Sequence, residues 1–121
     1  MRQVLICRDD ELKDGAVRLV REGDLELGVF RSDGQLYAYR NHCPHQGGPA
    51  CEGTRQPQIV DVIDGEGFFR GQRYDEGDMH IVCPWHGYEY HMKTGEHVCD
   101  PRFRLQKFEV VARNGEIYVC I

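Results

Sequence analysis

The chain has 121 residues, 40% of them hydrophobic and 29% charged, with a formal net charge of −5. That size and balance suit one soluble folded domain over residues 1–121 and argue against disorder. No apolar run reaches the roughly 20 residues of a membrane helix, and no basic stripe is available for phosphates, so no membrane and no nucleic acid is expected as a partner. The apolar stretch at Val4-Leu5-Ile6-Cys7 is too short for a signal peptide and acidic residues follow it, so a cytoplasmic location is expected. Six cysteines could form three disulfides in an exported protein; in a reducing compartment the same number points to metal binding or redox work.

Along the chain, residues 4–8, 16–21 and 26–31 read as short strands, with Glu22-Gly23-Asp24 as a turn between the last two. Ser32-Asp33-Gly34 is a hairpin signal leading into an alternating segment at 35–40. Residues 41–53 are dense in Cys, His, Pro and Gly and form a loop at the end of that strand. Residues 54–77 are polar and Gly-rich, with an apolar piece at 59–63, an aromatic pair at Phe68-Phe69, and a hairpin candidate around Asp64-Gly65-Glu66-Gly67. Further strands are expected at 79–83, 88–92, 107–113 and 116–121, with a second loop at 83–88 and turns at Lys93-Thr94-Gly95 and Asn114-Gly115. No window has a helical period, so the class is all-β, a sandwich or small barrel.

Two motifs carry the chemistry: Cys43-Pro44-His45 and Cys83-Pro84-Trp85-His86-Gly87. Each offers one thiolate and one imidazole on a tight loop, and together they supply two Cys and two His. Such a set suits a mixed-ligand iron–sulfur centre, whose potential neutral imidazoles raise. It also suits a structural zinc site, although zinc fingers usually take like ligands from each loop. Unrelated core cysteines and surface histidines would leave the two matching Cys-Pro starts unexplained.

The stretches Asn41-His42-Cys43-Pro44-His45-Gln46-Gly47-Gly48-Pro49 and Cys83-Pro84-Trp85-His86-Gly87-Tyr88-Glu89-Tyr90 resemble the Rieske-type [2Fe–2S] ferredoxins of bacterial oxygenase systems, and the resemblance covers nearly the whole chain. It implies the Rieske fold, an antiparallel sandwich or incomplete barrel with a small cluster-binding subdomain. It implies one [2Fe–2S] cluster, with Cys43 and Cys83 on the inner iron and His45 and His86 on the outer iron. The positions of the extra cysteines that brace respiratory Rieske loops match Gly48 and Trp85 here, so that disulfide cannot form. A serine that helps raise the potential in that branch is replaced by Tyr88, which implies a lower potential. One departure is the interval from His45 to Cys83, longer than in the ferredoxins it resembles; residues 54–77 account for it. This insertion is either a tolerated surface hairpin or a docking element with Phe68, Phe69, Arg70, Arg73 and Tyr74 as anchors.

Other residues have plainer expected roles. Cys51 packs or lines the cluster, Cys7 and Cys120 are core, and Cys99 lies in a third loop; if it approached Cys51 the two could cross-link, which a cytosolic setting disfavours. Trp85 is expected to shield the cluster, with Pro44 and Gln46 at its rim. His42, His80, His91 and His97 are expected at the surface or satisfied, with no paired spacing for a two-His-one-carboxylate iron site. The function expected is therefore a soluble, monomeric carrier of single electrons from a flavoprotein reductase to a terminal oxygenase, not itself an enzyme. No Gly-rich nucleotide fingerprint supports a built-in reductase. The alternatives are the Rieske subunit of a multi-chain ring-hydroxylating-type oxygenase, and a structural zinc-binding interaction module.

Overall fold

The computed structural model describes residues 2–44, 47–85 and 87–121. Among these, nine strands form two antiparallel sheets, and the only helical pieces are two 3-10 turns, Asp9–Glu11 and Ala50–Glu52. The strands are β1 (Gln3–Arg8), β2 (Val17–Glu22), β3 (Leu25–Ser32), β4 (Gln35–Arg40), β5 (Arg55–Ile63), β6 (Phe69–Val82), β7 (Glu89–His91), β8 (Lys107–Arg113) and β9 (Glu116–Cys120). The six-stranded sheet has the order β1-β9-β8-β4-β3-β2 and curls into a nearly closed barrel; the second sheet has the order β5-β6-β7.

Local chemistry places the hairpins. Asp33-Gly34 and Asn114-Gly115 both have positive φ at the two central positions (51° and 75°, 52° and 75°). These are the type I′ values that match strand twist, and Asn, Asp and Gly tolerate them at least cost. They set the register of β3 with β4 (Ser32 opposite Gln35) and of β8 with β9 (Arg113 opposite Glu116).

Two cores lie on opposite faces of β3 and β4. Leu27, Val29 and Ala38 point to one side, where Leu12, Ile117 and Val119 fill the barrel. Phe30 and Tyr39 point to the other, where they meet Cys43, Cys51, Cys83, Ile81, Tyr90, Met92 and Leu105. Strands buried on both faces need continuous apolar runs, which explains Leu27-Gly28-Val29-Phe30. The Tyr39 hydroxyl donates to the Met92 carbonyl at 2.5 Å and ties the two sheets together within this second core.

The second sheet differs from expectation in one respect: β6 starts at Phe69 rather than at residue 79. A three-residue bulge splits it, because Pro57 pairs with Met79 while the next residue, Gln58, pairs with Asp75. Beyond the bulge, β5 and β6 continue as a two-stranded ribbon made of residues 58–75. Its tip is the predicted turn, where Asp64 Oδ1 accepts the N–H groups of Glu66 and Phe68 at 2.9 Å each and Oδ2 accepts from Arg70 at 2.8 Å. Ile59, Ile63, Phe68, Phe69 and Tyr74 on this ribbon are 48–66% exposed.

Candidate metal centre

Both motif loops leave the ends of strands, as their position after alternating segments predicts. Cys43 follows β4, and its loop closes tightly: the Cys43 N–H donates to Gly48 O and the Gly47 N–H to Cys43 O, each at 2.7 Å. Cys83 follows β6, with its N–H on Tyr88 O at 2.8 Å. Both cysteines are buried, and none of the six cysteines is in a disulfide. Of the four expected ligands, the structure brings Cys43 and Cys83 together. His45 and His86 lie outside the described residues, as does Gln46.

The sulfurs have specific neighbours. Tyr90, fully buried in β7, places its hydroxyl 3.0 Å from Cys43 Sγ. Burial pushes the Cys83 thiol up; the Trp85 backbone N–H opposes that shift, and the nearby Cys43 reinforces it. The sequence motifs alone do not assign this role to Tyr90. Its signal is the strand alternation, which sets Tyr90 out of phase with Glu89, opposite Ile81 and toward the core.

Close backbone approach locks the loops to the sheets. A Cβ at Gly53 would lie 1.6 Å from the Val82 carbonyl oxygen, so only glycine lets the first loop run against β6 immediately before Cys83. A Cβ at Gly48 would lie 2.8 Å from the Trp85 ring. The two positions expected to correspond to the bracing cysteines are thus in contact, and the half-exposed indole ring rests on Gly48 instead of a disulfide. Pro44, expected at the rim, is exposed. Asn41 ends β4 by accepting the Cys51 N–H and donating to Glu52, each at 2.9 Å, which fixes the Ala50–Glu52 turn.

The remaining cysteines are mostly as expected. Cys51 is packed beneath β3, its thiol directed at the Tyr39 carbonyl at 3.5 Å, and burial pushes its pKa up to about 12. Cys99 is exposed, and neither it nor Cys51 is cross-linked. Cys7 and Cys120 are buried. The third loop folds over the site through His97, whose ring stacks edge-on against Tyr88, Tyr90 and Phe103.

His91 is partly exposed and bonded, as expected, whereas His80 departs from expectation. The β6–β7 register sets His80 directly opposite His91, and the bulge before Met79 turns Asp78 toward both. Asp78 Oδ1 lies 3.0 Å from His91 Nδ1 and 3.4 Å from His80 Nε2. Burial raises the Asp78 carboxyl, but the His91 hydrogen bond and the nearness of both imidazoles outweigh it and hold the group below its usual range. A paired-histidine arrangement with a carboxylate therefore exists, contrary to the expectation from spacing. It arises from cross-strand pairing, which separation along the chain conceals. His80 is only 2% exposed and, of its two ring nitrogens, Nδ1 has a partner in Glu89 while Nε2 has none, so it is neither at the surface nor fully satisfied.

Two buried thiols on separate loops, one facing a phenol hydroxyl and the other a backbone N–H, fit ligation as thiolates. Such donors satisfy sulfur lone pairs, and a metal centre offsets the repulsion between the two charges. An all-β frame that brings two such loops to one point has the architecture of an iron–sulfur protein. The Rieske [2Fe-2S] domain family matches residues 2–109; the chain belongs to that family and takes one [2Fe–2S] cluster. It is 27% identical over 122 residues to the 3-phenylpropionate/cinnamic acid dioxygenase ferredoxin subunit of Photorhabdus laumondii subsp. laumondii, covering 100% of this chain and 96% of that protein. It is 30% identical over 117 residues to the ferredoxin CarAc of Metapseudomonas resinovorans, covering 95% and 90%. A chain in the solved complex of reduced oxygenase and oxidised ferredoxin of carbazole 1,9a-dioxygenase aligns with a TM-score of 0.71 at 29% identity, covering 98% of this chain and 92% of that one.

Proposed function

We propose that this chain carries single electrons from a flavoprotein reductase to a terminal oxygenase, with Cys43, His45, Cys83 and His86 as the ligands of its cluster. The observation that carries the ligand assignment is the approach of Cys43 and Cys83 from two loops of matching Cys-Pro start. The names of the relatives, ferredoxin components of dioxygenases, support the oxygenase as electron acceptor. Bound there, the cluster supplies one reversible electron and, with all four ligands from protein, offers no open position to substrate.

The chain's own residues set how that electron is held and passed on. The Tyr90 hydroxyl donates toward Cys43 Sγ and stabilises negative charge on it. The indole on Gly48 and the packed Ala50–Glu52 turn keep the loops from opening. Exposed Pro44 and half-exposed Trp85 give a small contact face next to the loops, in keeping with the transient docking that electron carriers use. A monomer in the cytoplasm suits that role.

The test is anaerobic purification with analysis of metal and spectrum. Red-brown protein with equal iron and labile sulfide, and a reduced-state paramagnetic signal of mixed Cys/His ligation, is expected. Colourless protein with zinc bound through cysteine sulfur would overturn the redox role. To test the carrier role, the free protein is mixed with a reductase and its reduction followed. Stable co-purification with a large oxygenase chain would count against a shuttling carrier.

A further inference from the structure

We infer that Asp78, His80 and His91 form a second metal site, separate from the cluster loops, for a divalent late transition ion such as zinc. Their ligating atoms all lie within 4.8 Å of one another. Zinc bonds of about 2.0–2.1 Å in a tetrahedron place neighbouring ligand atoms about 3.3–3.4 Å apart. The gap between Asp78 Oδ1 and His80 Nε2 is 3.4 Å and that between Asp78 Oδ1 and His91 Nδ1 is 3.0 Å; an ion would replace the proton of the His91 contact and draw the two imidazoles, whose ligating atoms lie within 4.8 Å, onto one centre.

The protonation pattern favours a cation. His80 Nδ1 stands 3.3 Å from Glu89 Oε1, which can accept a proton held there and so leave Nε2 to ligate an ion. This is the carboxylate–histidine arrangement that orients imidazoles on metals. Nε2 is buried and, among the described residues, makes no hydrogen bond. The Asp78 oxygen lies within ion-pair distance of it, at 3.4 Å. A buried ring nitrogen without a partner is costly unless something positive lies between it and the nearby carboxylate. His91 and Asp78 are each about one-third exposed on the side chain, which opens a path for the ion and leaves room for a water as fourth ligand. The bulge that aims Asp78 would be a fitting device, because bulges re-aim side chains beside functional sites.

Two imidazoles and one carboxylate accept zinc or ferrous iron, and the order of affinities places zinc well above iron. The rival occupant of the gap is a proton shared between Nε2 and Oδ1. The experiment uses the cluster-loaded protein, equilibrated with zinc chloride and desalted. Expected are one zinc per chain, unchanged iron, and a zinc X-ray absorption shell of nitrogen and oxygen at about 2.0–2.1 Å with no sulfur near 2.3 Å. His91→Ala and Asp78→Asn should each abolish retention, and Glu89→Gln should weaken it about 10-fold or more. His91 and Asp78 are partly exposed, so these variants keep the fold where a His80 substitution risks losing it; unchanged iron content verifies this. No zinc retained by the wild-type protein would overturn the site and leave the proton as occupant. So would a sulfur shell with loss of iron, or equal retention by all three variants. The electron-carrier role is tested separately, from the iron and sulfide of the protein as purified, before any zinc is added.

Discussion

The two cysteine loops and the β5–β6 ribbon are joined in sequence and share a sheet, yet they are held by opposite means. The loops have no spare room: Gly53 lies against the Val82 carbonyl, Gly48 against the Trp85 ring, and Cys43 beneath the Tyr90 hydroxyl. The ribbon carries Ile59, Ile63, Phe69 and Tyr74 out into solvent and is held by its ladder and by Asp64 at the tip. In the loops, positions are dictated by contacts from several elements at once. In the ribbon, each strand answers only to its partner, so changes there stay local. The insertion can therefore be long without disturbing the centre, since β6 passes through the bulge before it reaches Cys83.

The largest contrast comes from removing one side from each region. Cys83→Ser should abolish cluster incorporation, read as loss of visible absorbance and iron. Replacing residues 59–74 with a two-residue Asn-Gly turn between Gln58 and Asp75, which face one another across the ribbon, should leave both iron content and absorbance intact. Loss of the cluster in the shortened protein would show that the ribbon supports the loops after all.

Glycine substitutions sharpen the same contrast at lower cost. Gly53→Ala forces a methyl group into the Val82 carbonyl and should destabilise the protein by roughly 3 kcal/mol. Gly65→Ala in the ribbon tip meets nothing within 4 Å and should change stability by less than about 0.5 kcal/mol. Denaturant midpoints of the cluster-loaded proteins measure both.

Much of this architecture is legible in the residues. Asn114-Gly115 and Asp33-Gly34 announce their hairpins because only a few residues accept the required φ. The Cys-Pro motifs mark their loops because thiols and imidazoles in such density have few other uses. What stays hidden depends on pairing between distant strands. The start of β6 at Phe69 is masked by Arg70, Gly71, Gln72 and Arg73, where a two-stranded ribbon needs no apolar alternation. The contact of Gly48 with Trp85 and that of Tyr90 with Cys43 cross between loops and strands. The Asp78, His80 and His91 cluster depends on a bulge and a register, neither of which leaves a fixed spacing in the chain.

A smaller effect separates two tyrosines. Tyr90→Phe removes the hydroxyl at Cys43 Sγ and should lower the reduction potential, because the reduced, more negative centre loses a donor. The stability cost should be about 1 kcal/mol, that of one hydrogen bond. Tyr74→Phe, in an exposed ribbon position, should leave the potential unchanged. Voltammetry of the two variants beside the wild-type protein decides it, and equal shifts would mean that the potential responds to the ribbon.

The smallest expected effect lies at the ribbon tip and depends on pH. The N–H groups of Phe68 and Glu66 and the Arg70 guanidinium hold the Asp64 carboxyl below its ordinary range. A carboxyl depressed in the folded chain stabilises the turn above its unfolded pKa, about 3.9 for Asp. That contribution is lost as pH falls through the lower folded value. The Phe68 and Glu66 amide resonances should therefore shift with a midpoint below that of an ordinary Asp, while resonances of the six-stranded sheet stay still over the same step. Asp64→Asn should remove the step, since an amide side chain keeps an acceptor but does not titrate. A midpoint at the ordinary Asp value would mean that the tip is open in solution, and that the ribbon rests on its ladder alone.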